Sequence, residues 1–147
     1  MYSGAARPTY DDVNLLLKLY DLRREDRLRE ARRWFAASFK VKTLEEFNGL
    51  CPGGSEPNAS YRMVTGYWEM VASFVTSRVL NQELLFENGR ELLFTWERVR
   101  GVLPDIRNNF QNPVELKNLE VVAKAYIDWW NQQAPGAYDA FSKRVRG

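Results

Sequence analysis

The hydrophobic positions of this chain recur at intervals of three and four residues, and this pattern is longest and most apolar from Asn58 to Leu80. In that stretch one broad helical face is formed by Val64, Tyr67, Trp68, Val71, Phe74 and Val75. The opposite face carries mostly small residues and little charge. Such a helix is typical of a buried position, so we expect residues 58–80 to form the central helix of the fold.

Shorter helices are predicted before this stretch. The pattern indicates helices over residues 10–21 and 25–39, which are either separate or one bent rod. The drift of the apolar stripe between them favours a break. A capping box from Thr43 to Glu46 predicts a third, short helix, and the glycines and prolines of residues 49–57 predict a loop.

The first of these helices has an apolar face that we expect to pack on the core. Its members share a spacing of three and four residues, and they are Val13, Leu16, Leu17 and Tyr20. Residues 1–8 precede this helix without a comparable pattern. We therefore expect a flexible N-terminal tail over residues 1–8 and a single helical domain over residues 9–147.

Further short helices are predicted after the central one. Asn81 is a good N-cap for a helix over residues 82–86, and Pro113 suits the first position of a longer helix. No segment alternates like a β-strand over a useful length. The sequence therefore predicts an all-α fold, an irregular bundle of five to seven helices around the central buried helix.

The composition excludes several classes of chemistry. The 147 residues contain no His and a single Cys, and the net charge is +2. Without His there is no Ser-His or Cys-His dyad and no His-ligated metal, and no phosphate-binding loop follows Gly53-Gly54. Cys51 has no local positive charge that would activate its thiol. We expect neither an enzyme nor a metal or cofactor site.

Glu69 is the ionisable residue with the most unusual position, because it lies within the most apolar helix. If it lined a pocket, burial would raise its pKa and could make it a general acid or base. The simpler interpretation is a buried ion pair with Arg62, or with Arg90 or Arg98 of a later helix. We predict the ion pair, and the same reasoning applies to Glu97.

Two surface hypotheses remain. Residues 23–33 carry six basic and three acidic side chains, which is either a solvated face with internal ion pairs or a phosphate-binding face. The candidate phosphate contacts are Arg24, Arg29, Arg32 and Arg33. Trp129 and Trp130 lie about 100° apart on a helix, so either one of them is exposed as an anchor for a partner or both pack against neighbouring helices.

Several short segments of the sequence resemble those of a family of small helical bacterial proteins of unknown function. They are Tyr10-Asp11-Asp12-Val13, Ala31-Arg32-Arg33-Trp34-Phe35, Tyr67-Trp68-Glu69, Val79-Leu80-Asn81 and Trp96-Glu97-Arg98-Val99. The resemblance spans roughly residues 9–120. It implies a bacterial, soluble, all-helical protein and supplies no catalytic or binding residues.

The sequence favours a non-catalytic helical interaction protein that associates with itself through aromatic surface. A nucleic-acid-binding module that uses the arginine-rich helix is the alternative, and a small-molecule binder or enzyme with Glu69 in a pocket is the third hypothesis. Neither a signal peptide nor a membrane-spanning run is evident. We therefore expect a cytoplasmic protein that forms a homo-oligomer or binds a protein partner.

Overall fold

The computed structural model describes residues 7–146, and within this range the chain is all-helical. It has nine helices there, more than the five to seven predicted. They are α1 (Tyr10–Arg23), α2 (Asp26–Ser38), α3 (Leu44–Leu50), α4 (Glu56–Thr76), α5 (Gln82–Asn88), α6 (Arg90–Val99), α7 (Leu103–Asn109), α8 (Lys117–Gln133) and α9 (Ala137–Arg146). Most of the predicted tail, residues 1–6, lies outside the described residues.

Polar caps determine where several of these helices begin. Thr43 and Glu46 form the predicted capping box of α3, and the Asn81 side chain accepts a hydrogen bond from Leu84 N, as predicted for α5. Between α1 and α2, the Glu25 carboxylate caps the new helix. The first two helices are therefore separate, which resolves the ambiguity left by the sequence.

The central helix is α4, but its predicted ends were wrong. It begins after the N-cap Ser55 rather than at Asn58, because the Ser55 hydroxyl already accepts from Asn58 N. It ends at Thr76 rather than at Leu80. Arg78 adopts a left-handed conformation with φ of 63°, which stops the helix and leaves Val79 exposed.

The helix α4 is buried along most of its circumference. It packs chiefly between α2 and α8 and also touches α6. Of its predicted apolar face, Val64, Trp68 and Val71 are almost fully inaccessible, while Phe74 is only partly buried. Solvent reaches a narrow strip that includes Arg62 and Gly66. The hydrophobic core therefore surrounds α4.

The helix α8 begins later than the sequence indicated. Pro113 lies in a turn, and α8 starts at Lys117, after Leu116 in a left-handed conformation with φ of 56°. No side chain at this N-terminus caps its own helix. The donors of the first turn of α8 consequently need acceptors from elsewhere in the fold.

Candidate functional site

An open cleft of about 710 Å³ lies beside α2 and α6. Its lining contains five cationic side chains, from α1, α2 and the first position of α6: Arg23, Arg29, Arg32, Arg33 and Arg90. Glu91 is the single acidic residue among the lining residues. We call this site the arginine cleft. It concentrates positive charge in a protein whose overall charge is close to balance.

Glu91 neutralises part of this charge. Its carboxylate accepts two hydrogen bonds from Arg32, at 2.6 Å from Nε and 2.7 Å from Nη2, and Arg23 Nη2 lies 3.3 Å from Oε1. Burial alone would raise the pKa of Glu91, but the hydrogen bonds and the positive charges of both arginines outweigh it and lower that pKa. The hydrogen bond to Glu91 also stabilises the charged form of Arg32 and thereby raises the pKa of its guanidinium group.

The other arginines of the cleft are less fully paired. Arg29 bonds Asp26 at 3.0 Å, but both side chains are mostly exposed, so this pair is weak. The Arg90 guanidinium carbon lies 3.9 Å from the centre of the Trp130 ring. Among the described residues, no carboxylate pairs with Arg90 or with Arg33. Two cations in one cleft are therefore left without a charge partner.

Apolar side chains complete the lining of the arginine cleft. Phe35, Phe94 and Phe141 all contribute to it, together with Val64 of the central helix. Phe94 is only partly buried, so part of its surface is available to a bound molecule. The cleft thus combines guanidinium groups with an apolar surface, which suits an anion that also carries an apolar group.

A second feature lies on α1, whose apolar face does not pack on the core as predicted. Tyr10, Leu17 and Tyr20 are 88%, 60% and 54% exposed, and Val13 is exposed too. We call these four residues the α1 stripe. Leu16 is partly buried, and the helix packs through Leu19 and Asp12, which are buried. The sequence identified the apolar positions but not the side of α1 that faces the core.

Beside the α1 stripe lies a smaller cavity of about 130 Å³. We call it the α1 pocket. Leu17 and Tyr20 of the stripe form part of its wall, and the rest comes from other residues of α1 and from α4, α5 and Gly89. Its lining is more apolar than polar. The α1 stripe therefore borders the α1 pocket, a cavity that an apolar side chain can enter.

The family model of a domain of unknown function, DUF4760, matches residues 8–143. The chain belongs to the DUF4760 family. This confirms the resemblance to a family of unknown function, and the match extends past the stretch that the sequence phrases suggested. No curated protein and no solved structure matches the chain.

In this DUF4760 chain, the predicted ion pair of Glu69 was wrong. The Glu69 carboxylate accepts hydrogen bonds from Leu119 N at 2.8 Å, from Asn118 Nδ2 at 2.8 Å and from Asn118 N at 3.3 Å. It thus supplies, from α4, the cap that α8 lacks in its own sequence. All three donors belong to Asn118 and Leu119, so the carboxylate lies against the first turn of α8.

Arg62 and Arg98, two of the three arginines predicted as partners of Glu69, have other partners. Arg62 is exposed and donates to its neighbour Asn58 at 2.8 Å. Arg98 donates from Nη1 to the carbonyl oxygens at the end of α2, at 3.3, 3.1 and 2.9 Å for Phe35, Ala36 and Phe39. Its Nε donates to Val145 O of α9 at 2.8 Å. Arg98 therefore caps the C-terminal ends of two helices.

Glu97 does form the expected buried pair with an arginine. Its side chain is fully inaccessible, and Oε1 lies 3.1 Å from Arg100 Nε. Ser142 Oγ donates to Oε1 at 2.8 Å, and the Tyr138 hydroxyl donates to Oε2. Burial, together with this hydrogen bond, raises the pKa of Tyr138 to about 12. The group joins α6 to α9.

The two indoles predicted as a partner surface, Trp129 and Trp130, pack against different neighbouring helices. Trp129 is 8% exposed and lies against Phe86 of α5, with ring centres 5.6 Å apart. Trp130 is partly buried and lies 5.4 Å from the Phe141 ring of α9. The alternative of a wide apolar face was therefore right.

The predicted phosphate contacts divide into two groups. Arg29, Arg32 and Arg33 line the arginine cleft, but Arg32 is occupied by Glu91. Arg24 is exposed outside the cleft. Sequence reasoning missed Arg90 and Glu91 as members of the site. The sequence signal that could have identified them is this adjacent pair of opposite charges at the start of α6.

Within residues 7–146, no cluster of acidic or Cys side chains could hold a metal ion. Over the same range, none of the helices has the length and apolar character that crossing a membrane requires.

Proposed function

We propose that this protein is a non-catalytic helical interaction protein that associates with a second copy of itself through the α1 stripe. The observation that supports it is the exposure of four apolar side chains on one helix face. Their spacing of three, four and three residues is that of the a and d positions in a coiled coil. Such a row is buried when a second helix packs along it.

The charge at the end of the stripe favours an antiparallel pair. Arg24 is exposed and follows Leu17 by seven residues, so it continues the stripe beyond the helix end. In a parallel pair, the two Arg24 side chains would face each other and repel. In an antiparallel pair they lie at opposite ends, and the helix dipoles also oppose each other favourably.

The α1 pocket gives the pair a specific contact. With the two-fold axis near the middle of the stripe, Tyr10 of one copy lies opposite Tyr20 of the other. Tyr20 and Leu17 form one wall of the α1 pocket, so the protruding Tyr10 ring of the second copy enters there. Two-fold symmetry repeats the contact, so each association buries two tyrosine rings.

The two other hypotheses have less support from the contacts. Glu69, the carboxylate on which the enzyme hypothesis depends, already accepts three hydrogen bonds at the start of α8. Arg29 and Arg33 line a concave cleft rather than a row along an exposed helix face. A concave site fits a compact anion better than a long nucleic-acid backbone.

We propose a cytoplasmic location from the chemistry of Cys51. This thiol is buried and free, and burial raises its pKa to about 11. A chain without disulfides suits a reducing compartment.

The test is sedimentation velocity over about 1–500 µM protein, a range that detects dimers with micromolar to submillimolar dissociation constants. Leu17→Glu should abolish the dimer, since it places a charge in the middle of the row. Val121→Glu is the matched control, because Val121 is equally exposed, at 58%, but lies on α8. A monomer at every concentration, or a dimer that survives Leu17→Glu, would overturn the proposal.

Cross-linking tests the orientation. A mixture of Tyr10→Cys and Tyr20→Cys chains should form a mixed disulfide dimer upon mild oxidation, whereas Tyr10→Cys alone should not. The unmodified chain is the background control, because Cys51 is buried. Efficient cross-linking of Tyr10→Cys alone would show a parallel pair.

A further inference from the structure

We propose that the arginine cleft binds an organic phosphate of about nucleotide size. Arg33 and Arg90, the two cations that Glu91 leaves without a charge partner, hold the phosphate, and Phe94, which is only partly buried, contacts the apolar part of the ligand. The four residues of the α1 stripe do not line this cleft, although Arg23 and Asn88 line both the arginine cleft and the α1 pocket. The proposal does not depend on self-association.

The first argument is the excess of positive charge. Five arginines and one glutamate line the cleft, and Glu91 is already saturated by Arg32 and Arg23. Arg29 and Arg33 lie one turn apart on α2, where like charges destabilise a helix slightly. A bound anion removes this repulsion and gives Arg33 a partner.

The second argument is the chemistry of guanidinium groups. Their planar fork of N–H donors matches the oxygens of a phosphate, and Arg is the preferred residue for this contact. Arg90 is held in place, because it rests on the Trp130 ring and Nε lies 3.3 Å from the Tyr126 hydroxyl. Its position is therefore fixed before the ligand arrives, which lowers the entropic cost of binding.

The third argument is the size and the apolar lining of the site. A volume of about 710 Å³ falls within the ~300–1,000 Å³ of typical ligand sites. Inorganic phosphate would fill only part of it. Phe94 also lines the cleft and is only partly buried. Arg98 lies over this ring, 4.6 Å from its centre, and the surface that remains accessible can pack against a base or another flat apolar group. The ligand therefore has a phosphate at one end and an apolar group at the other.

The experiment is isothermal titration calorimetry at low salt with four probes: adenosine monophosphate, phenylphosphonate, inorganic phosphate and adenosine. We expect the first two to bind once per chain with dissociation constants below about 1 mM. Inorganic phosphate and adenosine should each bind at least about tenfold more weakly, because inorganic phosphate lacks the apolar group and adenosine lacks the phosphate. Added salt should weaken the binding of both organic anions.

Variants connect the binding to the cleft. Arg33→Gln and Arg90→Gln should each weaken the binding of adenosine monophosphate by about tenfold or more. Arg62→Gln is the matched control, because Arg62 is exposed on α4 and does not line the cleft. Circular dichroism verifies that each variant is folded. Arg90→Lys keeps the positive charge but loses the planar guanidinium group, so its affinity for adenosine monophosphate separates the effect of charge from that of geometry.

Several results would overturn the proposal. These are the absence of heat from both organic anions at 5 mM, or equal binding of inorganic phosphate and adenosine monophosphate. Equal losses in Arg62→Gln and Arg33→Gln would also contradict it. A fifth probe, a single-stranded oligonucleotide, separates the polymer from the small ligand. If it bound about 100-fold more tightly than the mononucleotide, with a steep salt dependence, the cleft would be part of a nucleic-acid surface instead.

Discussion

Two glutamates on α6, Glu91 and Glu97, bind arginines in opposite surroundings. The Glu97 side chain is inaccessible to solvent and accepts from Arg100, Tyr138 and Ser142. The Glu91 side chain is 26% exposed and forms part of the wall of an open cleft. Both carboxylates join distant parts of the chain, but only Glu91 does so beside unpaired positive charge.

The difference separates a closed ion pair at one end of α6 from an open, positively charged cleft at the other end. At Glu97 the donors around the carboxylate all come from the protein, so nothing remains for a ligand. At Glu91 one carboxylate faces five arginines, which leaves the site short of negative charge. Electrostatic balance, rather than the presence of an ion pair, distinguishes a structural group from a candidate binding site.

The largest effect is expected from Glu97→Gln. This change leaves Arg100 without its counter-charge and forces an amide among buried hydroxyl donors, so the free energy of unfolding should fall by about 3 kcal/mol. Urea denaturation measures the loss. Glu83→Gln, an exposed residue of α5, should change the same quantity by less than about 0.5 kcal/mol. Equal losses of stability in Glu97→Gln and Glu83→Gln would contradict the stabilising role of the buried Glu97 carboxylate.

Glu91→Gln should cost less, about 2 kcal/mol, because the pair is partly solvated. The folded state lowers the pKa of Glu91 from its ordinary value of 4.5. The contribution of Glu91 to stability is therefore complete above pH 4.5 and disappears as the pH falls through the lower pKa of the folded state. The stability of the variant should therefore depend less on pH below 4.5. Thermal denaturation at pH 3, 4, 5 and 7 measures this, and parallel pH profiles would contradict it.

The smallest effect is expected from Tyr138→Phe, which removes one donor from Glu97 and should cost about 1 kcal/mol at neutral pH. The folded state raises the pKa of Tyr138 from 10 to about 12. Its contribution is therefore complete below pH 10 and is lost as the pH rises through 12. Denaturation at pH 8 and 11 should show a smaller alkaline loss in the variant than in the unchanged chain.

The sequence was sufficient for features that depend on neighbouring residues. The caps at Thr43 and Asn81 follow from local hydrogen bonds and were predicted correctly. The burial of Val64, Trp68 and Val71 follows from a periodic apolar face. These features need no knowledge of how helices are arranged, so a single sequence reveals them.

The rest depends on contacts between distant residues. Glu69 caps a helix that begins 48 positions later, and Arg32 meets Glu91 across 59 positions. No local pattern encodes such pairs. The exposure of Leu17 shows a different limit, because periodicity defines an apolar face without saying whether the same chain covers it. The arginine cleft could not be predicted because it depends on contacts between distant residues. The exposure of the α1 stripe could not be predicted because the sequence does not show which apolar faces the fold covers.

Arg98 also constrains the order in which the chain can fold. Its guanidinium group bonds carbonyl oxygens of Phe35 and Phe39, 63 and 59 positions earlier, and of Val145, 47 positions later. The end of α2 therefore acquires its donor only after α6 has docked, and α9 is secured by the same side chain. Backbone amides at both ends should consequently exchange with solvent through a shared opening event rather than by independent fraying.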